Sequence, residues 1–120
     1  MSNSLRRVRF TKEALRNLAE IRSYSRINWG DAVAARYLDE INRCVGLLEQ
    51  GQVRLESWPG LIEPLQVFRV QKHLFVCDCQ GIAVVVLMIA HTSRDVAVLA
   101  NSIYPNLAAE VAELHRQLDP

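Results

Sequence analysis

The 120-residue chain has almost no excess of either charge: 14 Lys and Arg stand against 13 Asp and Glu, a formal net charge of +1. A protein that coats nucleic acid through its phosphates carries a domain-wide positive excess, so the balance argues against that class while leaving room for a local basic patch. Cysteine is scarce and odd in number. Cys44, Cys77 and Cys79 match neither the even framework of a secreted disulfide scaffold nor the paired C-x-x-C clusters of structural zinc, which fits a reducing cytoplasm. The longest uninterrupted apolar run, Ile82 to Ala90, is far below the ~20 residues of a membrane span. MSNSLRRVRF has basic residues but no apolar stretch behind them, so a soluble, untargeted protein is expected. Glycine-rich phosphate loops, G-x-S-x-G elbows and paired-carboxylate signatures are missing, and no cofactor is expected.

What is present is apolar material for one core, 50% of the residues. Leu5 to Phe10 alternates apolar and basic positions, a short strand with its arginines toward solvent. Thr11 is placed to cap a helix running to about Asn28, with Ala14, Leu15, Leu18, Ile21 and Ser25 on one face. After the break at Trp29-Gly30, Asp31 can cap a second helix, whose stripe Ala34, Leu38, Ile41, Val45 and Leu48 ends before Gly51. Gln52 to Pro64, with Pro59-Gly60, reads as a turn-rich loop. Leu65–Val70, Leu74–Cys79 and Ile82–Ala90 then predict an antiparallel meander, the last two joined at Gln80-Gly81. Cys77 and Cys79, two apart, share a face of their strand and read as core thiols.

The last strand is apolar on both faces, so the sheet needs a second cover besides the helical hairpin. After Pro105, the stripe Leu107, Val111, Leu114 and Leu118 predicts a further helix, docked either on its own sheet or on a second copy as a homodimer contact. The expected class is α+β, with residues 1–102 as the main domain and 103–120 as a C-terminal helical extension.

Three strings in this order carry a resemblance to a known family, over about residues 5 to 99. The first is Val8-Arg9-Phe10-Thr11 followed by Ala14, Leu15, Leu18 and Ile21; the second is Pro59-Gly60 leading to Phe68-Arg69-Val70; the third is Ile89-Ala90-His91-Thr92-Ser93-Arg94-Asp95, similar to an H-x-x-R-D strand ending. Together they resemble the ParE/RelE toxins of bacterial toxin-antitoxin pairs. The resemblance implies a β-α-α-β-β-β fold with a helical hairpin on a small antiparallel sheet, and a cognate antitoxin as partner. It implies DNA gyrase as target if the chain is ParE-like, and the ribosome and its mRNA if it is RelE-like.

RNA cleavage needs groups that neutralise phosphate charge and move protons, whereas inhibition by binding needs only a surface. The nuclease candidates are Arg69, Lys72, His73, His91 and Arg94, and between Leu65 and Ala90 the only cations are Arg69 and Lys72. Tyr104 sits beside Pro105, beyond the end of the family motif, and is not read as the C-terminal tyrosine of RelE-like enzymes. The sparse cations favour the ParE-like reading, with no catalysis. Candidates for target or antitoxin contact are Trp29, Trp58, Arg69, His91, Arg94 and Asp95, each with an ordinary structural alternative: Arg94 and Asp95 as ion pairs, Arg69 as a solvated side chain, the tryptophans tucked against the hairpin. His73, His91 and Asp95 lack any metal-ligand spacing, so no metal site is expected. A family member that survives only as an interaction module is the third alternative.

Overall fold

The computed structural model describes residues 5 to 118 as β1 (Arg7–Phe10), α1 (Lys12–Trp29), α2 (Asp31–Glu49), β2 (Leu65–Val70), β3 (His73–Gln80), β4 (Ala83–His91) and α3 (Val96–Leu118). The α+β class and the element order agree with expectation. The strands form one sheet in the order β1-β4-β3-β2. β2, β3 and β4 are the expected antiparallel meander, while β1 adds to β4 in parallel, Arg7 opposite Ala83 and Phe10 opposite Val86.

α1 starts where the sequence places it, because the Thr11 hydroxyl accepts a hydrogen bond from the Ala14 N–H at 3.0 Å. Gly30, at φ +90°, breaks the hairpin. Asp31 does not cap α2: the cap position falls on Gly30, and Asp31 instead pairs with Arg26 across the break at 3.0 Å. α2 closes on a Schellman turn, in which the Gly51 N–H bonds the Leu48 carbonyl and the Gln52 N–H that of Leu47. The last strand begins one residue late, since Ile82 lies in the Gly81 turn and is exposed.

One face of the sheet, with Val8, Phe68, Phe75, Val84 and Val86, packs on Ala14, Ile41 and Leu48 of the hairpin. Cys77 and Cys79 both join this core, and all three thiols are free. The opposite face, with Leu74, Val76, Val85 and Leu87, is covered by α3. The result is a three-layer α/β/α sandwich around the doubly apolar β4.

α3 begins some nine residues before Pro105, where its start was expected. Asp95 is its cap, with Oδ1 accepting from the Val98 N–H at 3.2 Å. Val96, Ala100 and Ile103 extend the apolar stripe back from Leu107 at 4, 3, 4 spacing, so one continuous face runs from Val96 to Leu118 and burial outweighs the bond lost at Pro105, which lies inside the helix. The stripe is spent on the chain's own sheet. The expected 102/103 boundary falls within this helix.

Candidate functional site

β1 is shorter than β4. Its last pair is Phe10 with Val86, so among the described residues the remainder of β4, Leu87 to His91, has no strand beside it on that edge. A bulge makes the gap workable, because Val76 pairs with Met88 and Cys77 with Val86, leaving Leu87 as the extra residue. α1 then supplies side chains where a strand would supply backbone. The Thr11 hydroxyl donates to the Leu87 carbonyl at 2.7 Å, and the buried Asn17 carboxamide oxygen accepts from the Ile89 N–H at 2.9 Å.

Beyond these bonds α1 and α3 diverge over the end of β4, and between them opens a groove of about 1050 Å³. Ile21 and Tyr24 of α1 and Leu99, Ser102 and Ile103 of α3 form its walls. His73, His91 and Arg94 also line it. His73 and His91 are directly opposite each other on β3 and β4, with ring centroids 5.4 Å apart and planes nearly perpendicular.

Each imidazole has one nitrogen fixed. The Tyr37 hydroxyl donates to the Val70 carbonyl at 3.1 Å, which leaves it to accept from His73 Nδ1–H at 2.5 Å. His91 Nδ1 accepts from the Ser93 N–H at 3.0 Å, so the His91 ring proton belongs on Nε2. Burial, helped by the neighbouring His91, pushes His73 down to about 4. It is an uncharged ring at neutral pH, with Nε2 a hydrogen-bond acceptor. Burial raises Tyr37 to about 12, keeping it a neutral donor.

Arg16, the other groove guanidinium, is taken by Glu13 at 2.5 Å and Glu20 at 2.7 Å, and its bond holds Glu13 below the usual carboxylate range. Arg94 makes no side-chain ion pair among the described residues. The ion-pair account of Arg94 and Asp95 therefore does not hold, since Asp95 is occupied as the α3 cap.

The other sequence candidates lie elsewhere. Arg69 is exposed on β2, at the sheet edge, its Nε donating to the Gln71 carbonyl. Lys72 is exposed in the β2–β3 turn. Trp58 packs into the core beneath α3, whereas Trp29 ends α1 and is 65% exposed.

A second polar cluster escaped the sequence reading. Asp78 on β3 is buried under α3, where Tyr104 donates to its Oδ2 at 2.5 Å and His115 Nε2 bonds its Oδ1 at 3.1 Å. Tyr104 is thereby held away from the groove's imidazoles, and burial with the Asp78 contact raises it to about 12. The available signal was Asp78 itself, a carboxylate in the middle of the run Leu74 to Cys79. Asn101 is similar: it clamps the Pro59-Gly60 turn, donating to the Gly60 carbonyl at 2.8 Å and accepting from the Ile62 N–H at 3.1 Å.

Among the described residues there is no group of three or more His, Cys, Asp or Glu placed to hold a metal, and no helix long and apolar enough to cross a membrane. No curated protein sequence matches the chain. A solved structure described as a chromosomal ParDE TA system from P. aeruginosa is similar in fold, with a TM-score of 0.62 at 15% identity over 72% of this chain and 96% of that one. A family model described as the ParE toxin of the type II toxin-antitoxin system, parDE, matches residues 8–96, from β1 to the first residue of α3. The chain belongs to the ParE toxin family of type II toxin-antitoxin systems.

Proposed function

We propose that the chain is a cytoplasmic toxin that inhibits DNA gyrase by binding it, without catalysis of its own, and that a cognate antitoxin neutralises it. The observation that carries this reading is the dispersal of the cations. Of five candidates for phosphate chemistry, Arg69 and Lys72 stand outside the groove and His73 is uncharged, which leaves His91 and Arg94, and Arg94 is the groove guanidinium without a side-chain ion pair among the described residues. One guanidinium beside Glu13 and Glu20 is a poor seat for a phosphodiester and an adequate one for a protein surface.

A second reading rests on the convergence of His73, His91 and Arg94. In RNA cleavage, His73 Nε2 would take the 2′-hydroxyl proton, His91 Nε2–H would hydrogen-bond a phosphate oxygen, Arg94 would bind the phosphate, and the leaving 5′-oxygen would take its proton from water. A base held near 4 is weak for that task, because proton-transfer efficiency falls as the pKa drops below the working pH.

Supercoiling by purified gyrase, run beside cleavage of ribosome-bound mRNA, separates the two. The expected outcome is blocked supercoiling with intact mRNA. Cut mRNA with unaffected gyrase would install the second reading.

A further inference from the structure

The unpaired length of β4 has a chemistry of its own. The Ile89 N–H points away from β3, toward Asn17, and the His91 carbonyl also points away, accepting from the Arg94 N–H. In a strand the N–H and C=O of one residue point to the same side. The Ile89 carbonyl and the His91 N–H are therefore turned to the open edge as well, two residues apart, at the floor of the groove. An acceptor and a donor at that spacing match one residue of an extended chain, which offers an N–H to the first and a C=O to the second.

From this we infer that the groove between α1 and α3 is a strand-docking site: an extended segment of the cognate antitoxin lies along β4, bonded to the Ile89 carbonyl and the His91 N–H. This rests on the antitoxin reading proposed above. Three features select the occupant. Unpaired backbone groups call for another backbone, since a helix has none to offer along its length. Ile21, Leu99 and Ile103 on the walls call for apolar side chains on the segment, and Arg94 for a carboxylate near the end of β4. His73 Nε2 and His91 Nε2–H, acceptor and donor without partners among the described residues, can serve a carboxamide side chain of the same segment.

α3 decides which segment fits. The family match stops at residue 96, so the wall formed by Leu99, Ser102 and Ile103 lies beyond the matched region. A domain of minimal length would leave this edge open to any strand.

The test uses the full chain with its cognate antitoxin, the product of the paired gene. Ser102→Trp fills the groove from an exposed helical position, and Arg94→Glu reverses the unpaired charge. Each should weaken binding by about tenfold or more while the thermal melt stays that of the parent. Amide exchange supplies a backbone readout, with the His91 N–H slowed in the complex. Parental affinity in both variants, or an unprotected His91 amide, overturns the docking site and leaves the antitoxin reading intact. An antitoxin that does not bind even the parent chain overturns that reading instead.

Discussion

At the scale of single residues, the helical periodicity of α1 holds at Ala14, Leu18, Ile21 and Ser25 and fails at one flanking position. Leu15 sits at the flank of the apolar stripe and is 53% exposed, whereas Asn17, polar but three residues from Ala14 and four from Ile21 on the same face, is buried. Hydrophobicity cannot signal a position whose value lies in accepting one N–H from a strand that has run out of neighbours. Replacing Asn17 by Leu keeps its size and removes the acceptor, stranding the Ile89 N–H. The expected cost is ~1 to 3 kcal/mol, the range for a buried donor left unmade, measured by denaturant unfolding. A variant as stable as the parent would mean that water or a neighbouring group serves the Ile89 N–H.

Between elements, α3 is held on the sheet by more than its apolar face. The strands and stripes that positioned it were legible, because periods of 2 and 3.6 are written in the side chains; its start was not, since Pro105 imitates a first-turn proline and Asp95, the actual cap, closes the H-x-x-R-D string. Asp78 and His115 tie β3 to the last turns of α3, both nearly inaccessible. Asp78→Leu leaves both His115 Nε2 and the Tyr104 hydroxyl without their partner, at ~1 to 3 kcal/mol for each group that water cannot reach. His115→Leu removes one of the two side-chain donors to Asp78 and leaves Tyr104, at a comparable ~1 to 3 kcal/mol. The pair Asp78→Leu with His115→Leu should cost less than the sum, because neither of the two is left unpaired by the loss of the other, although the Tyr104 hydroxyl loses its acceptor in both Asp78→Leu variants. A double-mutant cycle by chemical denaturation measures the difference, and additive costs would show that the two residues act separately.

At the scale of the whole molecule, sequence alone could say that β4 needs two covers, but the parallel pairing of β1 with β4 depends on where the chain returns after the hairpin and meander. That pairing seats β4 between two neighbours and two cores. Val84 and Val86 face the hairpin, Val85 and Leu87 face α3, and all four are fully buried. Neither layer can then melt without opening a face of the same strand, so the sandwich should unfold in one transition despite having two separate cores. Trp58 packs under α3, and in a Trp29→Phe background its fluorescence reports that layer, while far-ultraviolet circular dichroism is weighted by all three helices. The two signals are expected to share a midpoint in thermal and denaturant melts. In Val86→Asp, which places a charge in the hairpin core with no partner, both should be lost together, although Trp58 lies on the other side of the sheet. If Trp58 kept its native emission in that variant, or melted at its own midpoint in the parent, the α3 layer would be an independent unit and β4 would not couple the two cores.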